Sequence, residues 1–474
     1  MPVGTEEVDL VVIGTGPGGE ALAGKAAAAG LSVVAVERHL VGGECPYYGC
    51  IPSKIIVRGS EAIAESHRLG RLAGEADVRT SWGVVADRIS REATDGWDDR
   101  AAADRLRALG VDVVHGSGRL AGQHTVQVDH DNHQLPRHYR TRRGVVLNTG
   151  TRPAEPPIAG LRGTPYWTNR DAVRTRRLPR TMIILGGGTV GCELAQAFAR
   201  FGVGVTVVEP GPRLLGRSEP EASAVIDATF QDDQICVLTG HRPVAVRHND
   251  AYGAGPFDVE LDDGRRLGAE CLLVATGRVA NLDDIGLETV GLQHAASDGQ
   301  LTVDEHLRVQ GSVNSCDAPW LWAIGDITGH GGFTHLSMYQ AGLALKDILG
   351  QDPEPAQYHA IPSVTFTDPE VAAVGLTAAQ AVASGLAVTT GQVDLTQSSR
   401  GLTHGLHRGL IKLVAHQGAL VGATVVGPAA GEICSILTLA VHTRLSTKTL
   451  AAMIYAYPTF HRAIESALAS LHTT

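Results

Sequence analysis

Apolar residues along the chain gather into short runs that end on glycine or on an acid: residues 8–13, 31–36, 182–185, 205–208 and 321–324. Nearly continuous apolar runs of this length belong to strands covered on both faces, as in a parallel sheet flanked by helices. Alanine-rich stretches follow the 8–13 and 182–185 runs and supply the helices such strands need. The pattern predicts an α/β protein, and 474 residues leave room for roughly two to four domains. Glycine is abundant (57 residues) and aromatics are few (4%), a balance that suits tight strand-to-helix turns.

Two of these units carry the same chemistry. The 8–13 strand leads into Gly14-Thr-Gly16-Pro-Gly-Gly19, then a helix, then the 31–36 run ending at Glu37. Gly14 permits the tight turn, Gly16 lets backbone approach a pyrophosphate, and Gly19 lets the helix pack close. The helix N-terminus attracts the anion, and Glu37 can accept hydrogen bonds from an adenosine ribose. The 182–185 run repeats this with Gly186-Gly-Gly188-Thr-Val-Gly191, a helix, and residues 205–208 ending at Glu209. First glycine and acid are equally spaced in both units, so the chain is expected to bind two dinucleotides. An acid at 209 repels a 2′-phosphate and favours NADH over NADPH, with Arg213 as the nearby charge that could complicate this.

Three further strings end apolar strands: Val145-Val-Leu-Asn-Thr149-Gly150, Leu272-Leu-Val-Ala-Thr276-Gly277-Arg278, and Leu321-Trp-Ala-Ile-Gly325-Asp326. Ligands of nucleotide folds lie at the carboxyl ends of strands, which makes Thr149, Gly150, Gly277, Arg278, Gly325 and Asp326 candidate cofactor contacts. Asp326 is placed for a ribose or ribityl hydroxyl; the alternative is an Asp capping the next helix.

A formal charge of −10 argues against nucleic acid or an anionic membrane as the main partner. No basic region precedes the first strand and no run approaches the ~18 apolar residues of a membrane span, so a cytoplasmic protein is expected. Seven cysteines are scattered except for Cys45 and Cys50, which fits one special pair rather than a secreted scaffold. Cys192, Cys236, Cys271, Cys316 and Cys434 read as buried small hydrophobes. No metal site is expected: no cluster has zinc spacing, and His330 and His335 read as loop or cap residues.

The pair lies in Gly42-Gly43-Glu44-Cys45-Pro46-Tyr47-Tyr48-Gly49-Cys50-Ile51-Pro52-Ser53-Lys54. Residues five apart on an ideal helix are offset by ~7.5 Å on divergent faces, whereas a disulfide wants Cα atoms within about 4.4–6.8 Å. Pro46 and Gly49 let the backbone leave that geometry. Lys54, one turn after Cys50, favours a thiolate there.

This segment, with two fingerprints and the Ala-Thr-Gly-Arg and Gly-Asp strings, resembles the pyridine nucleotide-disulfide oxidoreductases over essentially the whole chain. The resemblance implies FAD and NAD(P)H as cofactors, two Rossmann-like domains and a C-terminal α+β dimerisation domain. Residues 1–154 and 279–352 would bind FAD, with Gly43 among the contacts. Residues 155–278 would bind NAD(P)H, and 353–474 would pair two subunits into a homodimer whose C-termini complete each other's sites. Cys50 would face the flavin and Cys45 would exchange with substrate. Lys54 would sit by the flavin, paired with Glu193.

The C-terminus departs from the family's His-Pro-Thr segment with a Glu five residues on. This chain reads Tyr457-Pro-Thr-Phe-His461-Arg462-Ala-Ile-Glu465, placing Tyr457 in the His slot and Arg462 in the Glu slot. Phenols titrate near ~10 and are poor general bases at neutral pH. Three readings stand: His461 held by Glu465 as the base, Tyr457 as a hydrogen-bond donor, or a tail that only anchors the dimer. Tyrosine in this slot occurs among soluble transhydrogenases and mercuric reductases. Mercuric ion is not the main substrate expected, since neither the N-terminal metal-capture domain nor the C-terminal vicinal cysteine pair familiar in the latter is read in this sequence. The main expectation is an enzyme passing electrons between NAD(P)H, FAD and Cys45–Cys50 to a dithiol or disulfide substrate. The alternatives are a dithiol oxidase or specialised biosynthetic flavoenzyme, and an electron-transfer, transhydrogenase-type or redox-sensing flavoprotein.

Overall fold

The computed structural model describes residues 4–130, 135–249, 257–293, 295–296, 299–312 and 318–473. They form two compact units. One comprises Met1–Pro52, Arg88–Arg152 and Arg278–Tyr358; the other comprises Ser53–Asp87, Pro153–Gly277 and His359–Thr474.

In the first unit, strand Thr5–Ile13 runs parallel to Val33–Glu37, with Val12 opposite Ala35. On its other side lies Arg137–Leu147, with Val12 opposite Val146. Val111–His115 extends the sheet beyond Val33–Glu37, and Leu321–Ala323 joins the end of Arg137–Leu147, both in parallel. The first half of Arg137–Leu147 pairs antiparallel with Thr125–Asp129, which pairs in turn with Ser117–Leu120. Consecutive residues of the first strand serve different cores. Leu10 and Val12 pack with Leu22, Leu106, Trp322 and Ala341. Val11 and Ile13 pack with Val126, Tyr139, Leu147 and Trp320. Successive side chains of a strand point to opposite faces, so burial on both explains the unbroken apolar run. Parallel pairing also brings the carboxyl ends of these strands to one edge, where Gly14, Asn148 and Gly325 follow.

The second unit repeats the device. Cys236–Thr239, Gly204–Glu209, Thr181–Leu185 and Cys271–Val274 form a parallel sheet in that order. One face is covered by the antiparallel sheet of Pro243–His248, Phe257–Leu261 and Arg266–Ala269, through Ile183, Leu185 and Leu272 against Val246, Phe257 and Val259. The C-terminal part is an antiparallel sheet ordered Pro362–Thr365, Glu370–Gly375, Ala419–Gly427, Leu410–His416, Val388–Asp394, His472–Thr473. Helices Ala430–His442 and Ala463–Ala469 pack on it through Ile433, Leu437, Ile464 and Leu468. The expected α/β class, with two nucleotide-type sheets and a C-terminal α+β part, is what the chain forms.

One cysteine reading is corrected. Cys236 is exposed, whereas Cys192, Cys271 and Cys434 are buried. It opens the edge strand of the parallel sheet, where Ile235 takes the inward position at 4% exposure. Cys316 lies outside the described residues.

Candidate functional site

The cysteine segment breaks where its glycine stands. A short helix, Glu44–Tyr47, ends as the Tyr48 and Gly49 N–H groups both donate to the Glu44 carbonyl, at 2.8 and 2.7 Å. A new helix, Cys50–Leu72, then begins. A Cβ on Gly49 would sit 3.2 Å from that carbonyl and 3.6 Å from the Cys45 Cα. The two cysteines therefore occupy separate helices and their thiols hydrogen-bond. That contact, with burial, pushes the Cys45 thiol well above the usual range, against a lowering hydrogen bond from Thr334. Thr334 Oγ1 also lies 3.3 Å from Cys50 Sγ.

The residue before the pair is tied to the sheet edge. Arg278 reaches Glu44 at 3.4 Å and donates through Nε to Thr151 Oγ1 at 2.6 Å. The Thr151 hydroxyl donates to Asp326 Oδ2, also at 2.6 Å. Asp326 sits in the 3₁₀ turn Gly325–Thr328, with this carboxylate oxygen taken by Thr151 rather than by a helix cap.

Around that edge the glycines make a cradle. Gly14 has φ +93°, and a Cβ there would lie 2.3 Å from the Asn148 carbonyl oxygen. One on Gly19 would lie 2.1 Å from the Gly14 carbonyl oxygen, and one on Gly43, at φ +68°, 2.9 Å from the Gly16 Cα. Gly16 caps the helix Pro17–Ala28 without a side-chain hydrogen bond, which leaves the first-turn N–H groups to an anion. Glu37 is buried; its Oε2 accepts the Thr15 N–H and hydroxyl, and its Oε1 accepts the His39 N–H at 2.8 Å. Beside Gly150, the buried Thr149 hydroxyl has no protein partner, an orphaned group of the kind a ligand satisfies. Asn148, Ser337 and Gln340 also build this edge and were not anticipated. Asn148 Nδ2 donates to the Gly14 and Gly16 carbonyls, and Ser337 donates to Asn148 Oδ1 at 3.3 Å. Gln340, fully buried, accepts the Gly325 N–H at 2.6 Å. A polar Asn closing an apolar strand was the available signal for the first; helix residues 337 and 340 gave none.

The second cradle has the same construction. Gly186 has φ +109° and would bring a Cβ within 2.4 Å of the Ala275 carbonyl oxygen; one on Gly191 would lie 1.9 Å from the Gly186 carbonyl oxygen. Gly188 caps Thr189–Arg200 with no side-chain hydrogen bond and with open space where its Cβ would be. Glu209 accepts the Gly187 and Gly211 N–H groups, at 2.7 and 2.6 Å, one on each oxygen. Arg213 donates to Ser223 Oγ and to the Gly216 and Ser218 carbonyls. Gly277 has φ +134°, and its carbonyl accepts the Ala154 N–H.

Lys54 Nζ donates to Glu193 Oε2 at 2.8 Å. The other carboxylate oxygen accepts the Phe366 N–H at 2.9 Å, and Lys54 Nζ stands 4.6 Å from the Phe366 ring centroid. Sequence reasoning did not single out Phe366.

At the C-terminus Tyr457 is 69% exposed and donates to Ser399 Oγ at 3.0 Å. In one of the three readings of this tail Glu465 holds His461; in the structure Glu465 Oε2 pairs with Arg462, three residues earlier, at 3.1 Å. His461 lies beside the Tyr455 ring instead. His330 stacks on Tyr358 and His335 on Phe333. Among the described residues, His241, Asp262 and Asp263 bring donor atoms within 4.8 Å, but the Arg265 guanidinium bonds both His241 and Asp263, which disfavours a cation. No helix among the described residues is long and apolar enough to cross a membrane.

Residues 8–343 match the family described as pyridine nucleotide-disulphide oxidoreductase, and residues 361–468 match its dimerisation domain. A mercuric reductase of Streptomyces lividans is 34% identical over 467 residues, covering 97% of this chain and 95% of the relative. A dihydrolipoyl dehydrogenase of Chlorobaculum tepidum is 30% identical over 467 residues, covering 97% and 96%. The solved structure of LpdA from Mycobacterium tuberculosis superposes with a TM-score of 0.85 at 26% identity, over 98% of this chain and 99% of that one. The flavoprotein disulfide reductase RclA of Escherichia coli shares the fold, with a TM-score of 0.82 at 23% identity over 97% and 99%. With two nucleotide cradles, a cysteine pair and a family match along most of its length, the chain belongs to the pyridine nucleotide-disulphide oxidoreductases, enzymes that use FAD and NAD(P)H.

Proposed function

We propose that this enzyme takes two electrons from NADH, through FAD, to the Cys45–Cys50 pair and delivers them to a disulfide substrate, or runs the reverse with a dithiol. The observation that carries this reading is the pair itself, two hydrogen-bonded thiols on separate helices with the Thr334 hydroxyl on them. Residues 1–154 and 279–352 are assigned to FAD, 155–278 to NAD(P)H and 353–474 to the dimer interface.

Gly14, Gly16, Gly19 and Gly43 would take the FAD pyrophosphate, Glu37 the adenosine ribose, and Thr149, Gly150, Gly325 and Asp326 the remaining polar groups. The close approaches at Gly14 and Gly43 and the orphaned Thr149 hydroxyl support that fit. Gly186, Gly188, Gly191, Gly277, Arg278 and Glu209 are assigned to the nicotinamide nucleotide. The engagement of Arg213 with Ser223 and two backbone carbonyls supports NADH, since that guanidinium is already occupied.

Bound FAD supplies hydride acceptance and donation; the chain's residues manage sulfur and protons. Cys45 gives up its proton and attacks the substrate disulfide as the thiolate, releasing one substrate thiolate, which takes up that proton. Cys50 then attacks Cys45 of the mixed disulfide, releasing the second thiol and closing the Cys45–Cys50 bond. NADH and one proton restore the dithiol, so one disulfide becomes two thiols for each NADH oxidised. Lys54, oriented by Glu193, favours negative charge at the reacting groups. Two copies pair through the C-terminal part, and Tyr457 serves the partner's site as a hydrogen-bond donor. The exposure of Tyr457 at 69% and Ile454 at 98% supports such an interface. Cys45→Ser and Cys50→Ser are expected to keep FAD and lose disulfide-linked turnover; full turnover in either overturns the reading.

A second reading is favoured by two separate features: Tyr457 stands in the slot where the family carries an imidazole, and a thiol pair suits a soft metal ion. The relatives named mercuric reductase, at 34% and 33% identity, point the same way. NADH oxidation driven by a mercuric–thiol complex, and not by small or carrier-borne disulfides, would select it.

A further inference from the structure

We propose that Trp97 and Asp99 are positioning residues of the sulfur site: from one strained turn they hold both ends of the segment that carries Cys45, and so set the balance between disulfide and dithiol. This rests on the reading of Cys45–Cys50 as the redox couple.

Cys45 sits in a helix of only four residues, Glu44–Tyr47, too short to hold its own shape in water. Its orientation must come from neighbours. The Trp97 indole N–H donates to the Tyr47 carbonyl at 3.2 Å, taking one of the carbonyls that a helix end leaves open. Asp99 Oδ2 accepts the N–H of Val41 at 2.7 Å, three residues before the helix. Val41 is buried, and a buried donor needs such a partner. The adjacent Gly42 N–H donates to the Thr15 carbonyl, so this point of the chain is pinned on two sides.

Two features mark the turn as built toward this segment rather than for its own stability. Asp95, Gly96 and Trp97 have φ of +47°, +68° and +62°, a left-handed run that disfavours two of its three residues, the bulky Trp most of all. It follows a π-helical turn, Ile89–Ala93, itself uncommon. Strain of this kind persists where surrounding contacts over-determine it. Asp99, for its part, is the N-cap of helix Arg100–Ala108, where an aspartate ordinarily bonds its own helix, yet it makes no side-chain cap. Its Oδ2 serves Val41 and also His115 Nε2, the latter at 2.8 Å.

The consequence falls on the couple. Reduction breaks the S–S bond and leaves two thiols; NADH and one proton supply the two electrons and two protons. The disulfide needs its Cα atoms within about 6.8 Å and so fixes Cys45 by itself. The dithiol fixes Cys45 only through neighbours. Removing a brace therefore frees the dithiol, leaves the disulfide little changed, and favours reduction. The remaining brace, Arg278 on Glu44 at 3.4 Å, stays in place in each variant below.

The test equilibrates FAD-loaded enzyme in dithiothreitol redox buffers, quenches with acid, and scores Cys45 and Cys50 by alkylation and mass spectrometry. Trp97→Phe keeps a ring and loses the N–H. It should shift the equilibrium about fivefold toward dithiol, or about 20 mV upward, the worth of one hydrogen bond. Asp99→Ala should shift it the same way. Asp99→Asn keeps an acceptor for the Val41 N–H and should stay with the wild type. A purely structural role would lower the melting temperature of Trp97→Phe and leave the potential alone. Unchanged potentials in Trp97→Phe and Asp99→Ala overturn the proposal, as does a shift in Asp99→Asn equal to that in Asp99→Ala. A wild-type pair that takes up no electrons at any buffer potential overturns the redox-couple reading itself, which separates the two failures.

Discussion

Lys54 and Glu193 meet at 2.8 Å although Lys54 is 34% exposed and Glu193 only 3%. A carboxylate buried to this degree is tolerated because both its oxygens are occupied, one by Lys54 and one by the Phe366 N–H. The arrangement fixes the lysine head against the Phe366 ring, so the carboxylate acts as a positioning group for a cation.

Glu193→Gln keeps an acceptor for Phe366 but removes the ion pair. Losing a charge-assisted hydrogen bond is expected to slow flavin reduction by NADH about tenfold or more. Stopped-flow absorbance measures this directly, and a wild-type rate would remove Glu193 from the machinery.

The two cradles are separable by their first glycines. Gly14→Ala combines a left-handed backbone (φ +93°) with a Cβ 2.3 Å from the Asn148 carbonyl oxygen, and Gly186→Ala combines φ +109° with 2.4 Å to that of Ala275. The left-handed conformation alone costs about 1–2 kcal/mol for a residue with a Cβ. Gly14→Ala should yield flavin-poor protein. Gly186→Ala should retain FAD and raise the KM for NADH at least tenfold or so. The opposite assignment of effects would exchange the two cofactor sites.

Glu209 anchors the Gly187 and Gly211 N–H groups and presents its charge at the end of its strand. Glu209→Gln should narrow the NADH-to-NADPH ratio of kcat/KM by roughly tenfold, the worth of one hydrogen bond to a charged group. Steady-state kinetics with both nucleotides decides it; an unaltered ratio would mean that other residues set the preference.

Because the Cys45 thiol is raised by its hydrogen bond to Cys50 and by burial, its neutral form is favoured and less thiolate is present at neutral pH than in an unperturbed cysteine. Iodoacetamide labelling of Cys45 in the dithiol enzyme should therefore keep rising beyond pH ~8.5, where ordinary thiols are half ionised. Cys50→Ser removes the first cause and should move the profile to lower pH. A Cys45 profile already level below that point would contradict this.

The parts legible in the sequence were those with a single local solution. Gly14, Gly19, Gly186 and Gly191 each face a backbone carbonyl oxygen at 1.9–2.4 Å from any Cβ, so only glycine fits, and the spacing exposes the unit. Gly49 likewise announced the break between the cysteine helices. Contacts closed across long stretches of chain left no such mark: Thr334 on Cys50, Phe366 on Glu193, and the run from Glu44 through Arg278 and Thr151 to Asp326. One expectation, a buried Cys236, failed, and one of the three readings of the tail met a competing contact, both for local reasons. Helical spacing offered Glu465 to both His461 and Arg462, and the guanidinium, which pairs at 3.1 Å, took it. Composition cannot tell an edge strand from an inner one, and Cys236 begins an edge strand.

The central claim, that Cys45–Cys50 exchanges electrons with FAD, is tested most directly by anaerobic titration of the FAD-loaded protein with NADH while the flavin spectrum is followed. A long-wavelength band after the first two electrons, absent from Cys50→Ser, is the predicted result. Direct bleaching of the wild-type flavin with no such band would contradict it and leave the cysteine pair outside the reaction.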